Sequence, residues 1–376
     1  MKTRLLRPSF AEVDLKALDY NFNQIRKKIG PVPEIMGIVK ANAYGHGSIE
    51  VSNFLQKKKK VSCFGVAILE EGIELRQNGI KLPILVLTHP SEKQLKLFFD
   101  FDIELTIADL EIAKSLNNLA EKFKKKAIVH IKIDTGMGRI GLNPKQAKNY
   151  FELIKELKNI KVKGVFTHFA SSDDFDLSKA NKQLDEFATI VKFGKEIFGK
   201  DLIAHAANSG AVLQMENSYF DMVRPGIIIY GYYPTTDTRK TFPIKKVMTV
   251  KSEISFIKNV PKNFSISYSA LYSTTEETKI ATIPYGYADG YPRLLTNKTE
   301  AIIRGQRFRI VGRICMDQVM INIGNGTQIK VGEKVTIVGK DGNSEIWFDE
   351  LAGKLNNLQY ELLCNVAKRI PRIYKK

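Results

Sequence analysis

The sequence contains few cysteines and no long apolar run. Its three cysteines, Cys63, Cys315 and Cys364, are too few and too scattered for a disulfide framework or a metal cluster. No stretch approaches the roughly 18 to 20 apolar residues that a membrane-spanning helix needs. The first residues, MKTRLLRPSFAEVDL, lack the apolar segment and the cleavage site of a secretory signal. We therefore expect a cytoplasmic protein with no bound metal and no membrane partner.

Acidic residues are scarce relative to basic ones. The 58 Lys and Arg residues exceed the 40 Asp and Glu residues, which gives a net charge of +18. Lysines cluster at 57–60 and 122–126, so nucleic-acid binding has to be considered. Neither cluster is accompanied by a recognisable nucleic-acid-binding module or by stacking aromatics. We interpret the lysines as a solvated surface and expect no nucleic-acid partner.

The chain is long enough for one large domain followed by a smaller one. It has 376 residues, of which 44% are hydrophobic, so it can bury a sizeable core. Short apolar runs alternate with amphipathic stretches, a pattern typical of a parallel sheet covered by helices. Eight such units within about 240 residues match the size of a (β/α)8 TIM-type barrel. The predicted strands are 34–40, 62–68, 82–88, 103–107, 128–134, 162–168, 202–206 and 220–224.

An open, doubly wound sheet is the main alternative to the barrel. It usually carries a glycine-rich dinucleotide loop after its first strand, whereas here the first strand runs into VKANAYGHG. Beyond residue 240 the pattern changes to alternating strand-like segments separated by turns rich in glycine and asparagine. We therefore predict a barrel domain over 1–240 and a mostly β C-terminal domain over 241–376.

Polar residues stand at the carboxyl ends of the predicted barrel strands. In a parallel barrel these ends form the active face, so we expect the residues to converge there. They are Lys40 and Tyr44 after the first strand, Arg139 after the fifth, His168 at the sixth, His205, Asn208 and Ser209 at the seventh, and Arg224 and Gly226 at the eighth.

Lys40 is a candidate for Schiff-base chemistry. Desolvation at the end of an apolar strand lowers the pKa of a lysine and favours attack on a carbonyl cofactor. Asn208 and Ser209 can cap the following helix, and Gly226 allows close approach of the backbone, so the mouth also offers an anion site. A lysine facing such a site indicates pyridoxal phosphate. A phosphosugar enzyme would offer the same anion site, and these residues alone leave both interpretations open.

A series of motifs then identifies a family. The chain resembles the pyridoxal-phosphate-dependent alanine racemases over essentially its whole length, in both predicted domains. The motifs that carry the resemblance, in order, are VKANAYGHG (39–47), DTGMGRIG (134–141), THFASSD (167–173), HAANS (205–209), RPGIIIYG (224–231), SYSALY (267–272), IPYGYADGYPR (283–293) and GRICMDQ (312–318).

The resemblance implies two-base proton transfer on a pyridoxal-phosphate aldimine, with Lys40 and Tyr268 on opposite faces of the substrate Cα. Arg224 would face the pyridine nitrogen. Arg139 would bind the substrate carboxylate and the cofactor's phenolic oxygen, with Met316 helping to hold that carboxylate. The other implied positions are Tyr44, Ser209, Gly226 and Ile227 at the phosphate, His168 and Asn208 elsewhere around the cofactor, Lys132, His205, Tyr287 and Asp317 in support, and Asp173, Arg293 and Arg313 along the substrate access route.

The implied activity is the interconversion of L- and D-alanine, which supplies D-alanine for peptidoglycan. The family implies a homodimer in which Tyr268 and Met316 enter the partner's barrel mouth. A racemase preferring serine, or a related decarboxylase, would share the lysine and the phosphate site. A non-enzymatic pyridoxal-phosphate carrier resembles a lone barrel, and the second domain argues against it. Arg224 favours racemisation over transamination, because a guanidinium does not give its proton to the pyridine nitrogen.

Three residues depart from those common in the family, namely Lys368, Ser269 and Tyr285. Lys132 matches a position that is carbamylated in some members. None of these four residues is a predicted proton-transfer group, so the departures bear on substrate range rather than on the reaction.

Overall fold

The computed structural model describes residues 7–376, which form two compact units. The larger unit comprises residues 19–43 and 47–245, and the smaller one comprises the described residues up to 18 together with 44–46 and 246–376. This division differs from the expected ranges of 1–240 and 241–376, because strand β1 (Phe10–Asp14) lies in the smaller unit.

The larger unit is a barrel of parallel strands. Within the described residues its sheet has eight strands in the order β4-β3-β2-β9-β8-β7-β6-β5, and a bridge between Leu85 and Glu104 links the two ends. The predicted TIM-type fold is confirmed. The strands are β2 (Glu34–Ile38), β3 (Cys63–Val66), β4 (Ile84–Val86), β5 (Leu105–Ile107), β6 (Ala127–Lys132), β7 (Ile160–Phe166), β8 (Ile203–His205) and β9 (Met222–Val223).

Amphipathic helices connect these strands, and the helix Leu110–Phe123 illustrates why they form where they do. The Asp109 carboxylate accepts a hydrogen bond from Ile112 N at 2.8 Å and caps the first turn. Ala113, Leu116 and Ala120 recur at helical spacing and are buried. The other helices from residue 15 to 214 are Leu15–Ile29, Ser48–Lys57, Leu69–Gln77, Leu95–Asp100, Ala147–Lys155, Ser178–Phe198 and Ser209–Gln214.

The smaller unit is mostly β, as predicted. Its helices are Phe348–Gly353 and Gln359–Cys364. Its strands after β1 are β10 (Met248–Glu253), β11 (Phe256–Val260), β12 (Ser265–Ile266), β13 (Tyr272–Ser273), β14 (Thr278–Ile283), β15 (Glu300–Ile303), β16 (Gln306–Val311), β17 (Val319–Asn322), β18 (Lys334–Asp341), β19 (Ser344–Ile346) and β20 (Arg372–Lys375).

Strand β1 lies between β10 and β20, antiparallel to the first and parallel to the second. Its alternating residues Ala11 and Val13 are fully buried, as expected for a strand that covers one face of a core. Because its partners are the distant segments Met248–Glu253 and Arg372–Lys375, the local pattern gave no indication of this pairing. None of the helices within residues 7–376 has the length and apolar character needed to cross a bilayer.

Candidate active site

Lys40 begins an unusual turn directly after β2. Ala41, Asn42 and Ala43 have φ of 51°, 53° and 54°, and Tyr44 follows at 50°, so the segment is a left-handed helical turn. Each non-glycine residue in this conformation costs roughly 1–2 kcal/mol. The surrounding structure must therefore hold the turn in place, and with it the backbone of Lys40.

Two polar side chains of the barrel unit hold this turn. The Glu71 carboxylate accepts hydrogen bonds from Ala41 N at 2.6 Å and from Ala67 N at 2.8 Å. The Asn42 side chain accepts one from Ser48 N at 2.9 Å. The sequence analysis missed Glu71. The only local sign of the turn is the presence of Asn42 among nearby glycines, since asparagine and glycine tolerate positive φ best.

Arg224 is fully enclosed in the barrel and makes hydrogen bonds only to neutral groups. Its Nη1 donates to His205 Nδ1 at 2.9 Å, and its Nη2 donates to the carbonyl oxygens of Thr167 at 2.7 Å and Ala206 at 3.1 Å. No ion pair reaches it within residues 7–376. Burial lowers the pKa of Arg224 to about 9, so the group remains a cation at neutral pH.

The cation of Arg224 affects the titratable groups around it. Burial, reinforced by that charge, places the pKa values of His168 and His205 well below the usual histidine range. Lys132 is buried, and its Nζ lies 5.0 Å from the centre of the Phe166 ring. Burial, then the charge of Arg224, lowers the pKa of Lys132 to about 7. Because their pKa values lie well below the usual range, His168 and His205 are neutral near pH 7.

The loops after β8 and β9 are bound to each other. Asn208 caps the helix Ser209–Gln214 by accepting a hydrogen bond from Ala211 N at 3.1 Å, as predicted. The Ser209 hydroxyl accepts one from Gly226 N at 2.8 Å. Ile227 follows directly and begins a short 3-10 turn. The capped helix and this turn present backbone N–H groups, an arrangement suited to an anion.

The loop carrying Arg139 is shaped by Asp134. The Asp134 carboxylate accepts hydrogen bonds from Gly136 N at 3.0 Å and Met137 N at 2.8 Å. Burial raises the pKa of Asp134, but these backbone hydrogen bonds outweigh burial and lower it below its usual value. Arg139 is exposed, and its charge contributes to the lowered pKa values of Lys132 and His168.

In the smaller unit, Tyr268 and Met316 project into solvent. Their exposed fractions are 67% and 52%, high for large apolar side chains. The Ser267 hydroxyl donates to Arg313 O at 2.6 Å, which joins the two loops that carry these residues. Ser269 has φ of 60°, which explains why glycine is common at this position in the family that the sequence resembles.

Tyr287 lies beside the same loops, because its backbone N donates to Cys315 O at 3.0 Å. Asp317 forms an ion pair with Arg369 at 2.7 Å. Asp173 lies in the barrel unit, where burial raises the pKa of its carboxyl group.

The predicted site residues divide between the two units. The smaller unit holds Tyr44, Tyr268, Tyr287, Arg293, Arg313, Met316 and Asp317, and the barrel unit holds the rest.

Comparison with known proteins identifies the family. A family model described as the N-terminal domain of alanine racemase matches residues 13–234, and one described as the C-terminal domain matches residues 247–374. The chain belongs to the alanine racemase family. The alanine racemase of Halothermothrix orenii is 41% identical over 375 residues, which cover 100% of this chain and 99% of that protein.

Solved structures of alanine racemases have the same fold. The alanine racemase of Clostridium difficile 630 is 38% identical with a TM-score of 0.93, covering 99% of this chain and 97% of that one. The Bartonella henselae enzyme, described with covalently bound pyridoxal phosphate, is 26% identical with a TM-score of 0.86, covering 98% and 99%. The predicted family and enzyme class are confirmed. The chain is an isomerase of the pyridoxal-phosphate-dependent racemase type.

Proposed function

We propose that this protein interconverts L- and D-alanine with pyridoxal phosphate, in the cytoplasm, and so supplies D-alanine for peptidoglycan. The observation that carries the proposal is similarity to alanine racemases over the whole chain, in both domains. The hydrogen-bond donors of Arg224 and of the capped helix Ser209–Gln214 support the proposal independently. A buried guanidinium suits a pyridine nitrogen, and the start of a capped helix suits a phosphate.

The residues present fit the cofactor. The Nε–H of Arg224 and one Nη1–H make no hydrogen bond to the protein within residues 7–376, so donors remain for the pyridine nitrogen. The Ser209 hydroxyl and the Ile227 backbone N–H are donors for a phosphate. Gly226, whose own N–H donates to Ser209, allows the backbone to approach closely, and Asn208 fixes the helix that carries Ser209. Tyr44 is proposed to add its hydroxyl to this phosphate site. Lys40 supplies the amine that attaches the cofactor's carbonyl carbon.

The cofactor, when bound, supplies an electron sink that stabilises negative charge at the substrate Cα. The protein's own part is to move protons. Lys40 Nζ removes a proton from one face of Cα and Tyr268 Oη returns one to the other face, and the roles reverse for the other enantiomer. Arg224 donates a hydrogen bond without releasing its proton, which leaves the sink weaker than a protonated ring would be. Proton return is thereby favoured over transamination.

Other residues of this proposal bind substrate or position groups. Arg139 and the Met316 backbone hold the substrate carboxylate. His168 and His205 orient Arg224, and Asp173, Arg293 and Arg313 line the access route. The proposed assembly is a homodimer in which Tyr268 and Met316 serve the partner's barrel. Their solvent exposure in the single chain supports this assembly, since such side chains are usually covered.

The test is a chirality assay on purified protein loaded with pyridoxal phosphate. L-alanine and D-alanine should each lose optical activity and approach the same mixture. Borohydride should fix the cofactor on the peptide that contains Lys40. Serine is assayed in parallel to rank substrates, and carbon dioxide is measured to detect decarboxylation. Enantiopure alanine that stays unchanged, with cofactor bound, would refute the proposal.

A further inference from the structure

A row of buried side chains runs from Arg224 through the barrel interior. His205 Nε2 lies 2.9 Å from His130 Nδ1, and His130 Nε2 lies 3.2 Å from Glu104 Oε2. The other oxygen of Glu104 accepts from Lys163 Nζ at 2.6 Å. Glu104, His130 and His205 are each at least nine-tenths buried. The row thus joins a cation and a carboxylate through two imidazole rings.

The chemistry of its ends fixes the direction of every hydrogen bond in the row. Arg224 only donates, so His205 Nδ1 must be an unprotonated acceptor. A neutral His205 then carries its proton on Nε2 and donates it to His130 Nδ1. By the same reasoning His130 carries its proton on Nε2 and donates it to Glu104. One tautomer of each ring satisfies all the bonds, and the opposite tautomer of either ring breaks two of them.

The protonation states agree with this direction. Burial raises the pKa of Glu104, but the hydrogen bond from His130, together with the charge and hydrogen bond of Lys163, outweighs burial and lowers it below its usual value. Burial lowers the pKa of His130 despite the neighbouring carboxylate. Glu104 is therefore ionised and both rings are neutral at pH 7. The titratable and charged groups acting on the rings are Glu104, Lys163, Arg224 and Lys132, besides the rings themselves.

Packing leaves the two rings little freedom to reorient. The His205 ring stacks on Phe166 with centroids 4.8 Å apart and planes 5° from parallel. The space occupied by His130 depends on Gly164 of β7, because any side chain at Gly164 would collide with Nδ1 of the ring. The arrangement is therefore built into the barrel interior.

We propose that Glu104 and His130 are positioning residues for the reaction, an inference that rests on the proposed function. Their hydrogen bonds keep His205 Nδ1 unprotonated, and this fixes the guanidinium of Arg224, whose remaining N–H groups would serve the pyridine nitrogen. The row also connects the Glu104 carboxylate to Arg224 by hydrogen bonds, so its charge stabilises that buried cation through the two aligned imidazoles.

The first experiment measures the tautomers directly. Histidine labelled with ¹⁵N is incorporated into the holoenzyme, and the ring nitrogens are followed by NMR across neutral pH. Both His130 and His205 should show protonated Nε2 and unprotonated Nδ1. A protonated Nδ1 on either ring would overturn the proposal. This result does not require racemase activity, so it is separable from failure of the proposed function.

The second experiment uses variants of the two residues. His130→Leu removes both hydrogen bonds, whereas His130→Gln retains an acceptor towards His205 and a donor towards Glu104. We expect His130→Leu to lower kcat by about 10- to 100-fold, the size of effect that follows removal of a hydrogen-bond partner that orients a metal-binding side chain, with KM changed little. It should also shift the pH dependence of the bound cofactor's absorbance. His130→Gln should restore most of both properties.

Glu104→Gln keeps the hydrogen bond to His130 but removes the charge, so it should shift the absorbance profile in the same direction as His130→Leu. Glu111→Gln makes the same chemical change in an exposed ion pair with Lys114 and serves as the matched control. Thermal unfolding separates loss of folding from loss of positioning. If folded His130→Leu and Glu104→Gln both retain the wild-type kcat and absorbance profile, the positioning role is refuted.

Discussion

The Glu71 carboxylate accepts a hydrogen bond from the backbone N–H of Ala41 at 2.6 Å, directly after Lys40 in the chain. Glu71 thereby holds a left-handed turn in which consecutive non-glycine residues have positive φ. Hydrogen bonds to a charged acceptor contribute about 1.5–3 kcal/mol, enough to offset the strain of one or two such residues. The position of the proposed catalytic lysine therefore depends on a side chain outside its own loop.

Replacing Glu71 by Gln should destabilise the protein by about 1.5–3 kcal/mol, because a neutral amide cannot accept from both backbone groups. Chemical denaturation measures the loss, and absorbance of the bound cofactor reports whether Lys40 is still loaded. The matched control is Glu70→Gln, which alters an exposed neighbour on the same helix. Equal stability of the two variants would contradict the anchoring role.

Ala41→Gly should leave stability unchanged or raise it by up to about 1 kcal/mol. Glycine relieves the left-handed strain at an exposed position, which offsets its greater entropy in the unfolded chain. The comparison is Ala188→Gly, an exposed alanine inside the right-handed helix Ser178–Phe198, which should lose about 1 kcal/mol. Equal losses in urea denaturation would show that the turn is not left-handed in solution.

Asp289 should make the smaller unit sensitive to acid. It is fully buried and paired with Arg7 and Arg369. Burial raises its pKa, but these arginine hydrogen bonds outweigh burial and lower it below the usual value. The stabilisation is therefore present above the unfolded-state pKa, about 4, and is lost as the pH falls through the lower, folded-state value.

Asp289→Asn should accordingly cost about 3–5 kcal/mol at neutral pH, and the difference from wild type should shrink in acid. Denaturation at neutral and acidic pH measures it. Asp349→Asn removes one partner of an exposed ion pair with Lys246 in the same unit and should cost at most about 1 kcal/mol. A deficit of Asp289→Asn that does not depend on pH would show that packing, not charge, is responsible.

Lys132 should react with carbon dioxide. Its pKa of about 7 leaves much of the amine neutral, so the nitrogen can bond to the carbon of CO2 and release one proton as the carbamate forms. Enzyme equilibrated with ¹³C-bicarbonate should give a carbamate signal in the NMR spectrum. The signal should vanish in Lys132→Arg and persist in Lys145→Arg, an exposed lysine in the loop that follows Arg139. Persistence of the signal in Lys132→Arg would assign it elsewhere.

Mixing two inactive variants tests whether active sites are shared between chains. Lys40→Ala and Tyr268→Phe should each be nearly inactive as a pure protein. After subunit exchange, a hybrid dimer would contain one site with both native residues, so part of the activity should return. Exchange is confirmed by mass spectrometry of differently tagged chains. Exchange without any recovery would contradict sharing of Tyr268.

Much of the fold could be predicted because its signals are local. Near-continuous apolar runs such as β3 and β6 identified buried parallel strands, and polar residues at strand ends, including Lys40 and Arg224, identified the mouth of the barrel. The motif series then supplied the family. The sequence did not reveal strand β1, whose half-buried pattern fits several partners, or the turn at Ala41, where alanine has no preference for positive φ.

Sequence alone thus determined the alternation of strands and helices in the barrel and which chemical groups stand at the strand ends, since both follow from periodicity and position along the chain. Only the tertiary structure decided which distant groups meet. Glu104 lies 26 positions from His130, and His130 lies 75 positions from His205. Their hydrogen bonds depend on barrel closure and on the space beside Gly164, and neither of these is encoded in the local pattern around any one of the three residues.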